Sequence, residues 1–398
     1  MLYTVPPVDL DVRPLQASDE DDEHEIDLIK QWGLRDINAE AAWEITIGSP
    51  DVIVAIVDTG VQTNHPEFAD KVFIGSFDAC GNDPTNPEED DHGHGTHVAG
   101  IAADNGRGGE IAGVAWDNPI MPIRVMDNNG DIYTQYLVDA MLYLGHYAKA
   151  NPTERIVANM SIGGRGYSFA FKDAIDYAAE QGVLLVTSAG NENKRVLSYP
   201  SAYNGVVSVA ASTPHGEKAD FSTTGWWNSV AAPGVRIYST VNFSEYTEMQ
   251  GTSMASPFVT GAAALLLSEY RDLTPIEIKN QLEQTARGNR FSDDLGYGII
   301  DMEAMLGELR PMAYGGLRVQ AGLGQVDLGT GVITIYNQAG ELIAYGSTGE
   351  DGAHNFTALL PGEYTVALTY YNASEEEYVV EQKQATVTRS QFDTIVKF

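Results

Sequence analysis

The sequence predicts an α/β protein: a three-layer unit built on a mostly parallel sheet, followed by a small all-β sandwich at the C-terminus. Three observations predict it. From Asp51 onwards, β-branched apolar runs alternate with helical patterns, the mark of a parallel sheet covered by helices on both faces. Beyond about Pro311 the texture changes to short runs that alternate apolar and polar residues between turns. The length of 398 residues exceeds the ~100–200 residues of a usual domain, so a large unit plus a smaller one is expected.

In chain order, residues 1–27 read as an acidic N-terminal arm, poor in apolar residues. Residues 28–310 hold the α/β unit and begin with short-helix spacing in "LIKQWGLRDINAEAAWEI". "DVIVAIVDTG" is a continuous apolar run that ends in a glycine turn, as a strand buried on both faces should. "PIMPIRVM", "RIVANMSIGG", "GVLLVTSAGN" and "GVVSVAAS" repeat that pattern. Helical spacing separates them in "THVAGIAAD", "TQYLVDAMLYLGHYAKA" and "FAFKDAIDYAAEQG". "GTSMASPFVTGAAALLLSEY" and "LTPIEIKNQLEQTA" add two more helices. Residues 311–398 then read as an antiparallel sandwich, where Tyr370, Tyr371 and Tyr378 offer either a binding face or half-buried strand positions.

The formal net charge of −33 argues against nucleic acid and against an anionic membrane surface, both of which would repel it. No run is long and apolar enough to span a bilayer. Cys80 is the single cysteine, so no internal disulfide forms. Four N-x-S/T matches, at Asn159, Asn242, Asn355 and Asn372, are read as chance.

Sites in doubly covered parallel sheets form at the carboxyl ends of strands. Asp58, Ser161 and Asn191 stand there. His94, in "DDHGHGTHVAG", follows a glycine at a helix start, and Ser253 opens the long apolar helix. Singly, these residues read as a turn aspartate, a structural histidine and an N-cap serine. Together they supply a nucleophile, a base and an orienting carboxylate. A serine hydroxyl needs a base within hydrogen-bond reach, and imidazole titrates near working pH.

"VDTG", "HGTHVAG" and "GTSMASP", in that order, resemble the three signature segments of the subtilisin-like serine proteases over roughly residues 28–306. The resemblance implies a subtilisin-like fold for the α/β unit and a serine endopeptidase that works through an acyl-enzyme. It makes Ser253 the nucleophile, His94 the base and then acid, and Asp58 its orienter. Asn191, in "TSAGNEN", becomes an oxyanion donor beside the Ser253 backbone N–H. Ser161, Ile162 and Gly163 would line one wall of the pocket for the residue before the cut, and Ser188, Ala189 and Gly190 the other. Gly130, Asp131 and Ile132 would pair with the substrate backbone. Broad specificity is expected, with a preference for large apolar or aromatic residues before the cut.

Of the three close histidines, His97 is then structural and His92 a loop residue, and no zinc is expected. A structural calcium is, because residues 78–91 are dense in oxygen ligands, with Asp78 and Asp83 as candidates. A second family calcium site would use Glu67 and the loop "DNGRGGEIAG", where Arg107 is unwelcome. The C-terminal module resembles prealbumin-like or carboxypeptidase-regulatory-like sandwiches. Expected partners are protein and peptide substrates, to a monomer. The expected location is extracellular, with the export signal and prodomain not in this chain; the alternative is an intracellular enzyme whose acidic arm inhibits it.

Overall fold

The computed structural model describes residues 28–81, 90–107, 109–127, 129–288, 290–321, 331–348, 352–372 and 377–398. The acidic arm and Asp83 lie outside them. Seven strands form the main sheet: β1 (Val52–Asp58), β2 (Phe77–Asp78), β3 (Ile120–Arg124), β4 (Arg155–Met160), β5 (Leu184–Ser188), β6 (Val207–Ser212) and β7 (Val230–Pro233). Their order is β2-β3-β1-β4-β5-β6-β7, and every pairing is parallel.

Parallel crossovers place helices on both faces. Two short helices, α1 (Trp32–Asp36) and α2 (Ala39–Trp43), precede the sheet. The alternation of β1 then shows why its run is apolar throughout. Val52, Val54 and Ile56 pack towards α3 (His94–Ala103) and a helix at Thr252–Glu269. Ile53, Ala55 and Val57 pack towards α4 (Thr134–Ala150) and α5 (Phe169–Glu180). The Thr252–Glu269 helix, α6, is apolar nearly all round because it is buried nearly all round. A hairpin of β8 (Ile237–Val241) and β9 (Glu245–Met249) covers α3. Two polar bonds fasten it, Ser239 Oγ to the His97 carbonyl at 2.9 Å and Thr240 Oγ1 to the Thr96 carbonyl at 2.9 Å. Helices α7 (Pro275–Thr285), begun by a Thr274–Glu277 capping box, and α8 (Met302–Leu306) close this part. No described helix is long and apolar enough to cross a membrane.

The C-terminal strands are β10 (Gly315–Gln320), β11 (Val332–Asn337), β12 (Leu342–Ser347), β13 (Ala353–Leu359), β14 (Gly362–Asn372), β15 (Glu377–Val387) and β16 (Thr394–Lys397). They make a four-stranded sheet, β12-β11-β14-β15, and a three-stranded one, β13-β10-β16. Leu317, Val319, Ile333, Ile335, Phe356, Val366 and Leu368 share the core between them. One pairing departs from the antiparallel expectation: β10 and β16 run parallel. A parallel pair needs a long connection, and here the other five strands supply it. Tyr370 is buried, with its hydroxyl 2.9 Å from Glu381, whereas Tyr371 and Tyr378 form an exposed cross-strand pair. The two parts meet at Asn204, whose amide bonds both the carbonyl and the N–H of Ala358, at 2.9 and 3.3 Å.

Burial also sets an acid limit. Desolvation is the main cause that lowers His97 to about 4, and it does the same to His354, where Lys172 adds to it. Both residues stay neutral when folded over a range in which the unfolded chain takes up protons. Their share of stability is therefore complete above pH ~6.5 and lost as pH falls towards ~4. The expected loss is about 3 kcal/mol for each histidine. Denaturant unfolding at pH 7 and pH 4.5 checks this; a midpoint that does not fall at the lower pH contradicts it.

Candidate active site

Asp58 is the last residue of β1 and is fully buried. His94 is the first residue of α3, and its Nδ1 lies 2.6 Å from Asp58 Oδ1. Two glycines permit this approach. Gly93, at φ 89°, turns the chain into the helix, and a Cβ on Gly95 would come within 2.0 Å of the Gly60 carbonyl. Burial pulls the imidazole down, but the Asp58 charge, its hydrogen bond and the Asp90 charge outweigh it. His94 ends above its ordinary value.

Asp90 was not singled out in the sequence, yet it organises this corner. Its Oδ1 accepts from Thr59 Oγ1 at 2.8 Å, His92 N at 3.1 Å and Gly93 N at 2.8 Å. Its Oδ2 accepts from Thr96 N at 2.9 Å and Thr96 Oγ1 at 2.6 Å. Thr59 Oγ1 in turn accepts from Gly95 N at 2.9 Å. One carboxylate thus locks the end of β1 to the start of α3. Asp90→Asn turns an amide NH2 onto donors and should cost about 2–3 kcal/mol. It also removes a charge that raises His94. The acid limb of kcat/KM should therefore move to lower pH, and a limb that stays in place would show that Asp90 acts on packing alone.

Ser253 is the second residue of α6. Pro257 stands four residues on and has no N–H for the Ser253 carbonyl. Ser161 Oγ supplies the missing bond at 2.8 Å, and Ser253 Oγ donates to the Ser161 carbonyl at 3.1 Å. Asn159 braces the same junction. Its Nδ2 donates to Ser161 Oγ at 2.9 Å, and its Oδ1 accepts from Ser256 Oγ at 2.7 Å and Thr260 Oγ1 at 3.0 Å. This residue is buried, so its N-x-S match offers no glycan site.

Asn191 follows β5. Its Oδ1 accepts from Thr252 N and from Thr252 Oγ1, both at 2.9 Å. A backbone N–H can only donate, so the amide oxygen faces Thr252 and the NH2 faces the cleft. A Cβ on Gly251 would sit 3.4 Å from Asn191 Nδ2 and 3.6 Å from Ser253 N. The absent side chain leaves a space flanked by two donors.

Ser161–Gly163 and Ser188–Gly190 extend adjacent parallel strands, β4 and β5. Gly163 is exposed and Ile162 half-buried. An Arg165–Glu192 ion pair, with Nε 3.0 Å from Oε1, joins residues that follow the two segments. Gly130, Asp131 and Ile132 are exposed, but Gly130 N and Asp131 N fold back onto Asp127, at 2.9 and 3.0 Å. Gly130 thus closes a turn onto Asp127, and Asp131 and Ile132 follow it outside any strand. A cavity of about 150 Å³ lies between it and Thr59, Asp91, His92, Arg124 and Met126.

The three neighbouring histidines do not converge. His97 Nε2 lies 3.1 Å from the Thr247 carbonyl, and His92 packs edge-on to His94 with ring centroids 6.2 Å apart. Asp78 does not present itself to a cation either: its carboxylate is paired in the interior with Arg124 at 2.7 Å. Glu67 Oε2 and Asp104 Oδ2, by contrast, are buried without a hydrogen-bond partner. Arg107 is exposed and pairs with Asp117 at 3.4 Å.

The profile of the subtilase family matches residues 49–298. The chain is 35% identical to fervidolysin of Fervidobacterium pennivorans over 84% of its own length and 52% of the relative's. It is 39% identical to thermitase of Thermoactinomyces vulgaris over 65% of its length and 88% of the relative's. The crystal structure of fervidolysin, described as a keratinolytic enzyme related to subtilisin, superposes with a TM-score of 0.78 at 31% identity. That match covers 94% of this chain and 64% of that one. The chain thus spans about half of fervidolysin's full length.

Proposed function

The chain belongs to the subtilase family, the subtilisin-like serine proteases, and from that premise we propose that it is an endopeptidase acting through an acyl-enzyme on Ser253. The observations that support this are the buried Asp58–His94 bond at 2.6 Å and the space at the start of α6 that Asn191 Nδ2 and Ser253 N flank.

The proposed cycle uses these groups in turn. Ser253 Oγ rotates from the Ser161 carbonyl towards His94 Nε2, gives up its proton there and attacks the scissile carbonyl. Asp58 holds the Nδ1–H tautomer and offsets the imidazolium charge. The oxyanion forms between Asn191 Nδ2 and Ser253 N. His94 returns the proton to the leaving amine, and water repeats the sequence to release the acid.

The adjacent segments Ser161–Gly163 and Ser188–Gly190 come to the surface at Gly163 and Gly190, and main-chain bonds to an extended peptide there favour broad specificity. Ile162 supports a preference for large apolar or aromatic residues before the cut, with Arg165–Glu192 an ion pair at the rim. For calcium, Glu67 and Asp104 fit better than Asp78. Two orphan buried oxygens are what a hard cation satisfies, and it would supply structural charge balance there. Lys71 acts on Asp104, but burial lowers this lysine to about 7. We further read residues 28–310 as catalytic and 311–398 as an appended module, in a secreted monomer.

A fluorophosphonate probe with casein cleavage tests the reading. Labelling and cleavage that both vanish in Ser253→Ala support it. A folded wild-type protein that takes no label rejects it.

A further inference from the structure

The seam between α5 and the C-terminal strands holds a cluster that the proposed reaction does not use. Asp173 and Asp176 lie on α5, three residues apart, and His354 on β13 reaches them from the other side. One ligand atom from each residue falls within 4.8 Å of the others, and no other such trio exists among the described residues. The trio opens onto a groove of about 930 Å³ between the two parts of the molecule.

An acidic pair alone would be ordinary solvated surface. His354 makes the difference. It is 7% exposed, and its Nε2 has no hydrogen-bond partner. The Asp176 Oδ2 atom, at 3.7 Å, is beyond hydrogen-bond reach. A hydrogen bond to the Ser347 backbone favours the protonated ring, as a bond donated by the imidazole does. Since Nε2 makes none, Nδ1 is the donor, and Nε2 is left with its lone pair facing the carboxylates. Metal-bound histidines are held in the same way, by a second nitrogen that donates to a carbonyl. Gly346 makes room for the ring, because a Cβ there would meet His354 Nε2 at 2.5 Å.

Lys172, buried beside the cluster, donates to Asp176 Oδ1 and leaves Oδ2 turned towards His354. Two carboxylates and one ammonium sum to a single negative charge. That weakens the case for a hard ion held by charge and favours a borderline ion that takes imidazole nitrogen. We propose that Asp173, Asp176 and His354 form a site for one divalent cation of the zinc type, completed by groove water, which fastens the C-terminal strands to α5. Ligand atoms around tetrahedral zinc lie about 3.3 Å apart, so the trio closes modestly on loading. Asp173 is exposed and can move. The site departs from the expectation of no zinc, and it is independent of the histidines near the triad.

The test uses the full chain with Ser253→Ala, to prevent self-digestion, stripped with EDTA. Co2+ is titrated while visible absorbance is recorded, and Zn2+ is then added while Tm is followed. One Co2+ per chain with the strong bands of a four-coordinate site, and a rise in Tm with Zn2+, are expected. In Asp173→Asn and His354→Gln the affinity should fall at least tenfold. Asp173→Asn changes an exposed side chain, so its circular dichroism should match the parent and separate lost binding from lost fold. Absence of Co2+ binding in the parent overturns the proposal. So does binding that Asp173→Asn leaves intact, which would place the ion elsewhere.

Discussion

Replacing Ser253 by alanine is expected to lower kcat by about 10⁶, the scale known for subtilisin, and His94→Ala should do nearly the same. The double variant should be no slower than either single one. The hydroxyl is useless as a nucleophile without a base, and the base has nothing to deprotonate without the hydroxyl. The geometry requires this coupling. Asp58 has no solvent exposure and reaches the reaction only through the 2.6 Å bond to His94. Asp58→Asn should cost less, about 10⁴, because it disturbs tautomer and charge but leaves the imidazole present. Turnover of a chromogenic peptide by the parent and all four variants measures these ratios. If the losses for Ser253 and His94 multiply in the double variant, the two act separately and the proposed mechanism fails. The residual rate, about 10³ over water, then reports what the oxyanion donors and substrate binding do alone.

The elements that the sequence made legible are those whose cause is local. Val52–Val57 reads as a strand because a doubly covered sheet has no polar face to interrupt the run. Thr134–Ala150 and Phe169–Glu180 read as helices because one stripe of each is buried. Asp58, His94 and Ser253 stand out because glycines mark the turns where strands and helices must come close. What stayed hidden depends on partners far along the chain. Asp90 lies in the run "EEDD", and nothing local separates it from the other carboxylates of that run; only Thr59 and Thr96 do. Asp78 looked like a calcium ligand because the loop after it is acidic, but its partner, Arg124, comes from the adjacent strand. His354 and Asp176 stand 178 positions apart, beyond the reach of any spacing rule. Asn159 matched a glycosylation pattern, yet its amide braces Ser161 and α6 from the interior.

Thr252 likewise shows in the sequence only as part of a motif, and its role makes a graded prediction. Asn191→Leu removes the proposed side-chain oxyanion donor while it keeps the shape. It should lower kcat by about 10²–10³ with KM little changed, again the scale of subtilisin, because that donor meets charge only in the transition state. Thr252→Val leaves Asn191 in place but removes one of the two bonds that aim it. The surviving bond, from the Thr252 backbone N–H at 2.9 Å, still fixes which end of the amide faces the cleft. The hydroxyl bond, also 2.9 Å, limits its wobble. Thr252 Oγ1 also accepts from Gly190 N at 3.1 Å, so its loss loosens the turn that carries Asn191. A drop of about tenfold in kcat is therefore expected, the worth of roughly one neutral hydrogen bond. If Thr252 acts through Asn191, adding Thr252→Val to Asn191→Leu should change kcat no further. A second tenfold loss in the double variant would mean that Thr252 supports α6 and Ser253 directly. The two roles differ in stability as well: only the second predicts a melting temperature that falls in step with kcat.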